Sequence, residues 1–311
     1  MAEMCTVLES LTEQYKSCRD DLVKAGLLIP SGVPGLYGHG GAFEDVIERF
    51  EAYVTRRSKP LRAEVMRFPA IMNRRDYLKT THIQTFPDLM GSVHTFKGNE
   101  RDHNKLLLKR ANNQDWTEDL NPTDVMMTPA ACYPLYPTAT GTLTDVGRHV
   151  DLRSFVFRHE PSDDPARMQI FRQREFVRLG TAEQALAHRD SWLQQGQEIL
   201  KSLGLNVTAV VANDPFFGRA GRMMADSQKE QDLKYELVIA VASAEKPTAI
   251  TSCNCHLDHF GHTFEIHTED GGYAHTSCIG FGLERIALAL FMTHGFDTDR
   301  WPSDVKNILG L

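Results

Sequence analysis

The sequence predicts an α+β fold in which a largely antiparallel β-sheet is flanked by helices. Two observations carry this expectation. Strand-like runs follow one another near Val207–Ala212, Tyr235–Ala242, Thr248–Cys255, Thr263–His267 and Tyr273–Cys278, without helices alternating between them. Upstream, Asp151 to Arg178 holds two strand-like runs on either side of the turn cluster Pro161-Ser162-Asp163-Asp164-Pro165, which reads as a long hairpin.

The remaining elements follow in chain order. Leu11 to Leu28 reads as a helix stopped by Gly32 and Pro34, so residues 1–40 form a helical lead-in. Phe43, Val46, Ile47, Phe50 and Val54 have helical spacing, with charge on the other face. Arg62 to Phe68 alternates as a strand and ends at Pro69. Asn99 to Asp124, rich in Asn and Asp, reads as a surface excursion. Thr181 and Gln184 form a capping box before a helix reaching about Leu203. A last helix buries Leu283, Ile286, Ala287 and Leu290. There is no internal repeat and no dividing linker, so residues 1–311 are expected to form one domain.

Composition narrows the classes. At 311 residues, with 41% hydrophobic and 24% charged content, the chain has the make-up of a soluble globular protein with a large core. Met1-Ala2-Glu3-Met4-Cys5 does not resemble a signal peptide, and the apolar run from Ile286 to Met292 is too short to cross a bilayer. The expectation is a cytoplasmic protein with its six cysteines reduced and no membrane partner. A net charge of −7 weighs against tight nucleic-acid binding, which generally needs a basic face.

Phe157-Arg158-His159-Glu160, followed by Arg167, Phe171 and Glu175, carries the chemistry together with Gly280-Phe281-Gly282-Leu283-Glu284-Arg285. An Arg-x-Glu pair on a strand, a returning aromatic and a distant Arg opening a helix can make an ATP site without a P-loop, and no Gly-x-x-x-x-Gly-Lys-Ser/Thr occurs. Arg158 can grip the α-phosphate and Glu160 can accept from the adenine amino group. Phe171 can stack on the purine, and Arg285 can hold the far phosphates. Taken singly, each element has a plainer reading: a surface ion pair, a core aromatic, a glycine turn. Their joint order favours the nucleotide site.

Phe-Arg-His-Glu with Arg167 and Phe171 resembles motif 2 of class II aminoacyl-tRNA synthetases, and Gly280 to Arg285 resembles motif 3. Residues 41–70 are similar to motif 1, which implies a homodimer. Glu64-Val65 to Asn73-Arg74, Thr128-Pro129-Ala130-Ala131 and Lys234-Tyr235-Glu236-Leu237 resemble seryl-tRNA synthetase catalytic domains. The fold implied is therefore class II synthetase-like, over roughly residues 40 to 295.

Within that resemblance, Cys132 stands where ordinary seryl enzymes have a Glu facing the substrate. Glu175 lies on the returning hairpin strand, and Cys278 just before the motif 3 glycines. Two thiolates and a carboxylate leave one tetrahedral position open, as a catalytic zinc requires. This resembles the atypical seryl enzymes of methanogens, where zinc holds the substrate amine. One Zn2+ per subunit is expected, and Mg2+ with ATP. The plainer reading is that Cys132 and Cys278 are buried apolar thiols. A rival cluster, Cys253, Cys255, His256, His259 and His262, is denser. Strand alternation puts Cys253 and Cys255 on one face and His256 on the other, so it reads as pocket wall and core. Ala249-Ile250-Thr251 stands where seryl enzymes carry a metal-binding Glu, so magnesium ligands are not carried over.

The acceptor follows from what surrounds the motifs. Only about forty residues precede the motif 1-like helix, without the RNA-binding region of seryl enzymes, so the expectation is against tRNA. A zinc-containing core of this kind resembles the bacterial amino acid:[carrier protein] ligases. That resemblance implies activation of glycine or alanine and transfer to the phosphopantetheine thiol of a carrier protein. Tyr133, Asn254 and Gly280 are the expected wall of the amino-acid pocket. Residues 213–234, with Phe216, Arg219 and Arg222, are the expected carrier dock; the alternative is an ordinary surface loop. The competing functions are an aminoacyl-tRNA ligase and a non-catalytic paralogue acting as a binding protein.

Overall fold

A computed structural model describes residues 2–214, 216–218, 223, 225, 228–229 and 231–311. In chain order, the N-terminal half holds α1 (Ala2–Lys24), β1 (Leu28–Pro30), β2 (Tyr37–His39), α2 (Gly41–Ser58), β3 (Glu64–Arg67), β4 (Ile71–Asn73), α3 (Arg74–Lys79), α4 (His82–Thr85), β5 (Ser92–Phe96), α5 (Glu100–Ala111) and β6 (Leu120–Met127). There follow β7 (Gly141–Thr142), β8 (Arg148–Phe157), β9 (Ile170–Gly180), α6 (Ala182–Ser202), β10 (Thr208–Val211), β11 (Lys234–Ile239), β12 (Thr248–Leu257), α7 (His259–Phe264), β13 (Ile266–His267), β14 (His275–Gly282), α8 (Leu283–His294) and α9 (Ser303–Leu309).

The central sheet has seven strands in the order β10-β11-β12-β14-β9-β8-β3. All neighbours are antiparallel except β3, which runs parallel to β8 at one edge. One contiguous core runs from Cys18 to Leu309, and a smaller cluster gathers Met72, Tyr77 and Met126. Helix α6 closes one face: Trp192 stacks on Phe176 at 4.5 Å and meets Phe281 edge-on. Gly196 lets α6 approach closely, since a Cβ there would stand 3.0 Å from Ile279 Cδ1. The capping box of Thr181 and Gln184 starts α6 as its residues require.

Two expectations need correction. The lead-in over residues 1–40 is not wholly helical: α1 stops at Lys24, and the β1–β2 hairpin follows. The stretch Thr263–His267 is the end of α7 and only two strand residues, because Glu265 adopts a left-handed φ of 52° that ends the helix. Asn99–Asp124 is the expected surface excursion, exposed or half-buried throughout, and is built as secondary structure, with Asn99 and Asp102 forming the capping box of α5 and Leu120 opening β6.

Candidate functional site

Strand alternation builds the site. On β9, Phe171, Gln173 and Glu175 share one face. On β14, Cys278, Gly280 and Gly282 share it, and on β12 Ser252, Asn254 and His256 do. The register aligns these sets: Asn254 opposes Cys278, Ser252 opposes Gly280, and Gly280 opposes Glu175. This face, turned away from α6, floors a cavity of about 230 Å³. Arg158, Glu160, Phe171 and Arg285 line it, as do Cys132, Glu175 and Cys278. The expected pocket residues Tyr133, Asn254 and Gly280 line it too.

At one end, guanidinium groups converge on an aromatic ring. Arg158 lies 5.5 Å and Arg285 5.7 Å from the centroid of Phe171. Backbone carbonyls hold both: Arg158 Nε donates to Pro129 at 3.1 Å, and Arg285 donates to Ala166 and Ala249 at 2.8 and 2.9 Å. Burial pushes the Arg285 guanidinium down to about 10, and the neighbouring cations of Arg158 and Arg167 act in the same direction. Arg167 stands on the exposed rim and donates to Glu160 at 3.2 Å. In this geometry the Glu160 carboxylate is turned to Arg167.

At the other end lies the cysteine pair. A hydrogen bond between Cys132 and Cys278 raises the Cys132 thiol above the ordinary range and lowers Cys278 below it, and His256 beside Cys278 acts in the same direction. Burial and the Cys278 charge push Glu175 up to about 8. Glu175 Oε1 accepts from the Ala131 amide at 3.1 Å, whereas Oε2 is buried without a partner. His256 Nε2 is 3.7 Å from Cys278 Sγ, and its Nδ1 is held 3.0 Å from Thr276 Oγ1.

The trio expected to bind zinc is thus gathered at one place. Among the described residues, however, no group of three or more His, Cys, Asp or Glu side chains stands in a metal-holding arrangement. The physical reason is visible in the partners: Glu175 has turned to a backbone amide, and Cys278 receives Asn254 Nδ2 at 3.5 Å. The donor chemistry nevertheless suits zinc: two thiols beside a buried carboxylate oxygen that lacks a partner. Cys253 and Cys255 are buried on the reverse face of β12, away from the cavity.

Asp214, Gln228, Lys234 and Glu236 are polar wall residues to which the sequence assigns no role in the pocket, although Lys234 and Glu236 belong to the run resembling seryl enzymes. Lys234 Nζ donates to Asp214 at 2.5 Å and to Glu236 at 3.1 Å, and Gln228 donates to Asp214 at 2.9 Å. Burial opposes the Asp214 charge, but Lys234 and Gln228 hold its carboxyl below the ordinary value. No sequence spacing signals this group, since Asp214 and Lys234 lie at the two ends of a twenty-residue excursion. His256, which alternation sets on the face opposite Cys253 and Cys255, lines the cavity as the pocket-wall reading expects.

Of the expected carrier dock, Arg219 and Arg222 lie outside the described residues. Phe216 is half-buried, stacked on Phe86 at 5.1 Å, and Phe217 is the exposed aromatic.

No protein-family model matches the chain. It is 45% identical over 282 residues to amino acid–[acyl-carrier-protein] ligase 2 of Bradyrhizobium diazoefficiens, covering 90% of this chain and 84% of that protein. Ligase 1 of the same organism is 42% identical over 282 residues, 90% of this chain and 86% of that protein. A type-2 serine–tRNA ligase of Methanococcus aeolicus is 29% identical over 195 residues, 60% of this chain but 37% of the ligase. Among solved structures, the M. kandleri SerRS in complex with A. aeolicus tRNASec superposes with a TM-score of 0.78 at 20% identity, over 94% of this chain and 60% of that one. The cytoplasmic serine–tRNA ligase of Naegleria fowleri in complex with AMP gives 0.70 at 13%, over 94% of this chain and 65% of that one. These likenesses show a class II synthetase-like fold.

Proposed function

The chain belongs to the amino acid–[acyl-carrier-protein] ligases, and from that premise we propose that it activates glycine or alanine with ATP and loads the acyl group onto the phosphopantetheine thiol of a carrier protein. The observation that carries the nucleotide reading is the convergence of Arg158 and Arg285 on Phe171 at one end of the cavity, with Arg167 paired to Glu160 of its lining. Arg158 and Arg285, held by backbone carbonyls and not by carboxylates, favour a polyphosphate, and the ring offers a face for the purine.

In the first step the amino-acid carboxylate attacks the α-phosphorus, the adenylate forms and pyrophosphate leaves. Arg158 and Arg285, already fixed by backbone carbonyls, offset the charge that develops without reorganising, with Mg2+ accompanying the triphosphate. In the second step the thiol sulfur attacks the acyl carbon and AMP leaves. Cys132, Glu175 and Cys278 would hold a Zn2+. That ion supplies a Lewis-acid seat for the amino group of the substrate. Gly280 leaves open the space above Glu175 where a small substrate fits.

The carrier is proposed to approach the 213–234 segment, where Phe217 is exposed. A homodimer is proposed through α2 and the edge strand β3, whose Val65 is 64% exposed. Placement in the cytoplasm accords with the fact that no described helix is long and apolar enough to cross a membrane.

The test offers glycine and alanine in pyrophosphate exchange, then both acceptors, carrier protein and tRNA, with mass-spectrometric readout. Exchange with one of the two amino acids and acylation of the carrier are expected. Silence with every amino acid overturns adenylate formation, and acylation of tRNA alone overturns the acceptor.

A further inference from the structure

Arg172 lies between two cavity residues, Phe171 and Gln173, and alternation sends its side chain to the opposite face of β9. There it is only 14% exposed and ties β9 to α8, to α2 and, through His39 Nδ1 at 3.4 Å, to β2. Its Nε donates to Glu284 Oε1 at 2.7 Å, and its backbone amide donates to Glu284 Oε2 at 2.7 Å. Its Nη1 and Nη2 form a two-pronged contact with Glu44 of α2 at 2.6 and 2.8 Å. Glu284 is 1% exposed and immediately precedes Arg285 in the first turn of α8.

One carboxylate therefore fastens the start of α8 to the backbone of β9, next to Phe171. The bonds are charge-assisted and mostly shielded from water, so they resist sliding of one element past the other. We infer that Arg172 is a positioning residue that sets Arg285 against Phe171 through Glu284, and that Glu44 ties this setting to α2. The inference rests on the ATP-site reading above. It also gives α2 a route to the nucleotide end of the cavity, whereas the bonds of Cys132, Glu175 and Cys278 go to one another and to Ala131, Asn254 and His256, and not to Arg172, Glu44 or Glu284.

The experiment measures pyrophosphate exchange for wild type, Arg172→Gln, Arg172→Lys, Glu44→Gln and the charge-balanced double variant Arg172→Gln with Glu284→Gln. KM is determined separately for ATP and for the amino acid. Arg172→Gln is expected to raise the ATP KM about tenfold or more while the amino-acid KM stays within about twofold. Lysine, lacking the planar fork, should rescue only part of this. Glu44→Gln, which leaves both Glu284 bonds in place, should give a smaller rise of about threefold. The double variant leaves no stranded buried carboxylate, so it carries the test where Arg172→Gln does not fold. An ATP KM within about twofold of wild type in the folded arginine variants overturns the inference. So does an equal rise in both KM values, which marks a merely structural role. Absence of exchange by the wild-type protein overturns the ATP reading itself.

Discussion

His256 Nε2 stands 3.7 Å from Cys278 Sγ, with the imidazole held on its other nitrogen by Thr276. This contact marks off the two cysteine sets that the sequence offers as rivals. Cys278 shares its face with His256 and the cavity, whereas Cys253 and Cys255 lie behind the strand.

Zinc content tests that division. The purified protein is expected to carry about one zinc per subunit, by the open-site argument. Cys132→Ser should lose most of it, and Cys255→Ser should keep it. Elemental analysis showing the reverse pattern would move the metal to the 253–262 segment.

Gly280→Ala is expected to fold normally, because the new Cβ would meet Glu175 Cγ at 3.6 Å and Ser252 Oγ at 3.8 Å, which is ordinary contact. The added methyl shrinks the space beside Glu175, so kcat/KM should shift from alanine towards glycine by about 1–3 kcal/mol. An unchanged ratio, with an unchanged melting temperature, would place the amino acid elsewhere.

Phe171→Leu removes the ring between Arg158 and Arg285 while keeping most of the buried volume. The expected result is an ATP KM raised about three- to tenfold with little change in the amino-acid KM. A rise confined to the amino acid would separate Phe171 from the nucleotide.

Burial pushes His188 down to about 3, and the neighbouring His149 and Arg178 add to the effect. Its Nδ1 bonds Ser277 Oγ at 3.0 Å, and its Nε2 is buried without a partner. Below the ordinary value of 6.5 the unfolded chain takes up a proton that the folded chain refuses until about pH 3. The stabilisation is thus complete above pH 6.5 and is lost as the pH falls towards 3. Between pH 7 and 5, His188 should account for about 2 kcal/mol of lost stability. Denaturant unfolding of His188→Gln should show a correspondingly flatter pH dependence; an equal slope in both proteins would refute this origin.

Much of the fold was legible because the signals were local. The hairpin around Pro161–Pro165, the Thr181 and Gln184 box, and the strand from Thr248 depend on neighbours in sequence, and all three occur. The two strand residues left at Ile266 were misread because the apolar pattern of Thr263–His267 suits a short helix as well as a strand. The polar knot of Asp214, Gln228 and Lys234 was not legible, since it depends on how an excursion folds back.

By itself the sequence determined which groups the chain possesses: the Arg-x-Glu strand, the glycine turn before Arg285, the dispersed thiols and carboxylate. Alternation along β9, β12 and β14 even determined which of them could share a face. Only the tertiary structure decided that these faces coincide, because that depends on the register of β14 against both neighbours, which places Gly280 opposite Ser252 and Glu175. It also decided that Arg172, sent by alternation to the other side of the sheet, meets Glu284 and Glu44 there. A two-residue period says which residues part company, and long-range packing says whom each one meets.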